Sequence, residues 1–96
     1  MTDSRNATPE PQKTMREWLA RLKTERDELL LKMHLANAEV RDEWQKVEEQ
    51  WEHFKAKTRV LEKTSGEAGE DVAAAAKLLG EEINNAYRRI KESIAR

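Results

Sequence analysis

A chain of 96 residues, 39% charged and 38% hydrophobic, has room for one domain and no thick core of its own. Its net charge of -1, with both signs interspersed, lacks the basic footprint that neutralises nucleic-acid phosphates, and the absence of Cys removes disulfides, thiol catalysis and thiolate metal sites. Three Gly, two Pro and an Ala/Glu/Lys/Leu/Arg bias leave all-α as the class to argue, and no run is long and apolar enough to span a membrane.

Residues 1–12 hold both prolines among Asp, Ser, Asn and Thr without periodicity, which predicts a disordered leader. The leader has no apolar stretch of the kind a secretory signal needs, so a cytoplasmic location is expected. Helix A is expected from about 14 to 64. Thr14 and Glu17 form a Thr-x-x-Glu capping box, and no Gly or Pro intervenes from Met15 to Lys63. One helix of that length would run about 75 Å at 1.5 Å per residue.

Two heptad rows mark its seam. One is Met33, Val40, Val47, Phe54 and Leu61; the other is Leu30, Asn37, Trp44, Trp51 and Thr58. Trp44 and Trp51 are therefore expected in a core. Asn37 reads as a polar seam residue that fixes register, or as part of a turn over His34 to Ala38 that would split helix A and give a three-helix bundle. The continuous helix is the expected form, because sharp helix ends usually carry Gly or Pro.

Thr64 to Asp71, with Gly66 and Gly69, is the clearest punctuation and predicts a turn at 65–69. Helix B, about 70–95, presents Val72, Ala75, Ala76, Leu79, Ile83, Ala86, Tyr87, Ile90 and Ile94 on one face. If helix B folds back, Asp42, Glu43, Glu48 and Glu49 come opposite Arg88, Arg89 and Lys91, and Lys55 and Lys57 approach Glu81 and Glu82. That complementarity favours an antiparallel coiled-coil helical hairpin over a continuous rod, although the seam keeps phase through Leu61, Ser65, Ala68 and Val72.

A hairpin of this kind covers only the carboxyl half of helix A. The stripe Met15, Trp18, Leu19, Leu22, Leu29, Leu30 and Met33 is left open, and the expected cover is a second subunit in a homodimer or homotetramer. Trp18, off the main seam, is the candidate partner contact.

Catalytic constellations are missing from the sequence. Neither His34 nor His53 stands in a Glu-x-x-His pair, and Glu49 with His53 supplies two metal ligands where a site needs more. The carboxylates lie on solvated helix faces, Ser65 and Ser93 have no triad context, and Gly66 and Gly69 lack P-loop spacing. The expectation is a protein without enzyme activity, cofactor or metal.

The long charged helix, followed by Lys63-Thr64-Ser65-Gly66-Glu67-Ala68 and a segment ending Ala86-Tyr87-Arg88-Arg89-Ile90-Lys91, resembles small bacterial coiled-coil proteins of the stress-response type over Val40 to Ile94. The resemblance implies a cytoplasmic, non-catalytic accessory protein and carries no site residue with it. The expected function is a self-associating interaction or scaffold protein. The alternative is reversible binding to a membrane surface through amphipathic helix B, disfavoured by Glu81, Glu82 and Glu92 and by the lack of Trp or Phe on its apolar face.

Overall fold

The computed structural model describes residues 10–64 and 66–95, which form helices α1 (Glu10–Lys32), α2 (Ala38–Glu62) and α3 (Gly66–Ala95), with a 3-10 turn, Met33–Leu35, between the first two. The all-α class stands. Of the expected leader, residues 1–9 lie outside the described residues, while Glu10, Pro11 and Gln12 are already helical. Pro11 falls in the first turn, where its missing N–H costs no helical bond. Thr14 therefore sits inside α1 and does not start it.

The single helix expected over 14–64 is two helices. Asn37 takes an extended backbone (φ -81°, ψ -179°), and its side-chain oxygen accepts the Val40 N–H at 2.9 Å, capping α2. The Asn37 carbonyl accepts the Arg41 N–H at 3.0 Å. An Asn cap contributes about 1 kcal/mol. The larger gain is tertiary: turning back lets α1 bury Met15, Leu22 and Leu29, at about 1.5–3 kcal/mol for each large apolar side chain. Burial of that size outweighs the local preference of Met33–Ala36 for continuing a helix.

At the second corner, Lys63 and Thr64 donate their N–H groups to Val60 and Leu61 carbonyls at 3.0 and 3.1 Å, tightening the end of α2. The Thr64 hydroxyl donates to the Val60 carbonyl at 2.6 Å. Gly66 then takes φ +68°, the left-handed conformation that glycine adopts without penalty, and α3 begins there. The start is earlier than expected, and Gly69 lies buried inside the helix rather than in a turn.

The three helices run up, down and up in a rod of 53 × 20 × 15 Å, with α1 and α2 both packed on α3. One apolar cluster fills it. Met15, Leu22 and Leu29 enter from α1, Val40 to Leu61 at heptad spacing from α2, and Ala76, Ile83, Ala86, Tyr87 and Ile90 from α3. The fold-back of α3 on α2 follows the expected direction: Arg89 reaches Glu43 at 2.9 Å, Gln50 reaches Glu82 at 3.4 Å, and the Trp44 and Tyr87 rings stack with centroids 5.9 Å apart. Two expected charge contacts are replaced. Lys55 pairs with Glu52 on its own helix at 3.2 Å, and Glu48 turns to α1. Ala75, expected in the seam, is exposed, while Gly80 is buried. A Cβ on Gly80 would lie 3.1 Å from both Phe54 Cε1 and Trp18 Cε3, so the absence of a side chain lets the helices close at that level.

Candidate functional site

The premise of an open amino-terminal stripe is corrected by the packing. Met15, Leu22 and Leu29 are buried within the chain, and Trp18, Leu19 and Met33 are partly buried against the same core. Trp18 seats on Gly80, and the Arg21 guanidinium lies over its ring at 4.6 Å from the centroid. Leu30 alone of the candidate set is exposed, at 48%. The apolar face of α3, on which the membrane-surface alternative relied, is likewise internal at Ile83, Tyr87 and Ile90.

Two places remain where the structure concentrates chemistry. The first is a polar cluster spanning all three helices. Arg26 Nε and Nη2 donate to the two carboxylate oxygens of Glu48 at 2.7 and 2.8 Å, a bidentate pair with side chains only 24% and 27% exposed. Arg26 interrupts the α1 stripe between Leu22 and Leu29, and this contact is the reason a cation is tolerated there. The hydrogen bond to Glu48 holds the Arg26 guanidinium above its ordinary pKa despite desolvation. Beside this pair, Tyr87 is buried with its hydroxyl unpartnered. Burial, followed by the Glu48 charge, pushes the phenol pKa up, and Arg26 partly opposes the shift. A hydroxyl so held stays neutral at physiological pH, and the two Glu48 oxygens beside it accept from Arg26 instead.

The second place is the α1–α2 corner. Leu30 at 48%, Leu31 at 78% and Leu35 at 62% exposure lie within one and a half turns of chain, next to partly buried Met33. Val60 and Leu78 are the other large apolar side chains exposed among the described residues, one on α2 and one on α3. Isolated apolar residues on a surface are ordinary, but three leucines gathered at one corner of a charged rod form a patch.

The histidines do not converge. His34 Nδ1 lies 3.0 Å from the Leu31 carbonyl oxygen at the corner, and His53 sits on an open surface with Ala56, Lys57 and Val60. Among the described residues, no three His, Asp or Glu side chains gather as a metal-binding group. The groove between α2 and α3 is shallow, and its Glu43, Arg89, Gln50 and Glu82 side chains are engaged with one another. No described helix is long and apolar enough to cross a membrane. No family model, curated protein or solved structure matches this chain.

The signals for the parts that sequence reasoning missed were present but weak. Asn37 with Glu39 in the following turn is a capping pattern as well as a seam position. Arg26 at a stripe position asked for a carboxylate on a facing helix. Gly80, three turns after Gly69 on the face of α3, marked a close approach.

Proposed function

We propose that this chain is a non-catalytic interaction or scaffold protein that works by self-association, with the α1–α2 corner as the meeting surface. The observation that carries the reading is the exposed group Leu30, Leu31 and Leu35 on a rod whose remaining surface is mostly charged. A second copy is the favoured occupant. A two-fold contact needs only one self-complementary patch, and a surface of near-zero net charge does not repel its own copy at that patch. The resemblance to stress-response-type coiled-coil proteins adds a stress-linked, cytoplasmic setting to this proposal.

The test is light scattering over a wide concentration range, for the natural chain and for one carrying Leu30→Glu and Leu31→Glu. Both leucines are exposed in the single chain, so the variant should keep its helicity and melting cooperativity while losing association. A natural chain that stays monomeric throughout, or a variant that associates equally well, would overturn the reading.

A further inference from the structure

We infer that two copies join by exchanging α1: the turn at Met33–Asn37 opens, α1 and α2 merge into one helix, and each α1 packs on α2 and α3 of the second copy. The inference rests on the self-association proposed above and names its route.

Four observations converge on this hinge. The segment Met33-His34-Leu35-Ala36-Asn37 contains no Gly or Pro, so nothing in its covalent structure opposes a helix. The break is held by few local bonds: the Asn37 side chain capping Val40, the Ala36 N–H donating to Met33 at 3.0 Å, and the His34 ring against the Leu31 carbonyl at 3.0 Å. Straightening gives up the cap, but it pairs the free carbonyls at the end of α1 with the free amides at the start of α2. The loss is compensated within the backbone.

One apolar row also runs through the hinge in phase, while the buried row Met15, Leu22, Leu29 and Ala36 stops at Glu43. Leu19, Met33, Val40, Val47, Phe54 and Leu61 fall on one seven-residue row, with Arg26 at the remaining step. Leu30 falls on the row of Asn37, Trp44, Trp51 and Thr58, the last three of which are buried, so the heptad spacing of α2 extends into α1 across the hinge.

The ion pairs between α1 and α2 fix the symmetry. Arg16 meets Glu62 and Arg26 meets Glu48, and both pairs are centred between Asn37 and Glu39. Two opened chains laid antiparallel about a two-fold axis at that point regenerate the same pairs between copies. Lys32 of one copy then comes level with Asp42 of the other. Every core contact of the single chain is retained, so the balance between forms is set by the hinge and by concentration.

The experiment uses the full chain with Arg16→Cys and Glu62→Cys, which introduces the only two thiols. Monomer and dimer fractions are separated, treated with a short flexible bis-maleimide that spans the reach of the Arg–Glu pair, and run under denaturing conditions. Exchange requires intrachain links in the monomer fraction and covalent dimers in the dimer fraction. Intrachain links in both fractions would overturn the exchange while leaving self-association standing; the absence of any dimer would remove both. The hinge itself is tested with Asn37→Leu. Each lost cap is worth about five-fold in an equilibrium and a dimer loses two, so dimerisation should tighten about 25-fold. Inserting two glycines after Ala36 should do the reverse and yield monomer. An unchanged dimer constant in the glycine-insertion chain would refute the hinge even if Asn37→Leu folds poorly.

Discussion

Replacing Tyr87 by Phe should stabilise this protein, although it removes a polar group from a cluster rich in charge. The Tyr87 hydroxyl is buried and has no hydrogen-bond partner. Leaving a buried donor unsatisfied costs about 1–3 kcal/mol relative to its hydrated state in the unfolded chain. Phe deletes that cost and keeps the ring, including its stacking on Trp44 at 5.9 Å. The cavity left by one oxygen offsets part of the gain, so the expected net effect is about +1 kcal/mol, or a rise in Tm of about 4–8 °C for a domain of this size. The pH dependence supplies an independent arm. Burial raises the folded-state pKa of Tyr87 above its unfolded value of about 10, so its contribution is fully present below about pH 10 and is lost as pH climbs through the folded value. Urea unfolding of both chains at neutral pH and at about pH 11 reads both arms. The natural chain should lose more stability over that interval than Tyr87→Phe. A loss of about 1 kcal/mol or more in Tyr87→Phe at neutral pH would refute the reasoning, because it would mean that the hydroxyl is satisfied, for instance by an internal water.

Four other substitutions probe the packing and its edge. Glu48→Gln weakens a bidentate, three-quarters-buried charge pair with Arg26 and should cost about 1–2 kcal/mol in urea unfolding, with little dependence on salt. Gly80→Ala gains about 1 kcal/mol of helix propensity but forces a Cβ to 3.1 Å from Phe54 and Trp18; overpacking should win, giving a net loss of about 1–2 kcal/mol and a shift in Trp fluorescence. Ile90→Asp puts an unpaired charge at a fully buried position and should abolish the cooperative melt by circular dichroism, whereas Arg88→Glu on the exposed edge should melt within a few degrees of the natural chain.

The α2–α3 hairpin was legible because its signals are redundant: two glycines, a heptad seam with Trp44 and Trp51, and opposed charges that place Glu43 beside Arg89. The α1–α2 break was legible only as the second reading, a turn over His34 to Ala38, because every residue of Met33–Ala36 is content in a helix and the turn depends on what α1 gains by burying Leu22 and Leu29. Local preference and tertiary burial disagree there, and a single chain read by periodicity sees only the first. Asn37 carried both readings, a register device and part of the turn, and its side chain capping α2 is the second of them. The corner patch was half visible. Leu29 and Leu30 were read as neighbours on one open stripe; the structure buries the first and leaves the second in solvent, with Leu31 exposed beside it.

Three helices also decide where the chain enters and leaves. A hairpin returns to its starting end, but a third pass carries residue 95 to the opposite end of the rod from residue 10, beside the corner where Ser93 lines a groove with Asn37 and Val40. The 30 residues of α3 alone span about 45 Å. The outer ends of α1 and α3 are therefore held apart along the long axis, as by a strut. Tension between the ends would load parallel helices α1 and α3 in shear, where many side chains must slip together, rather than peeling them apart one turn at a time.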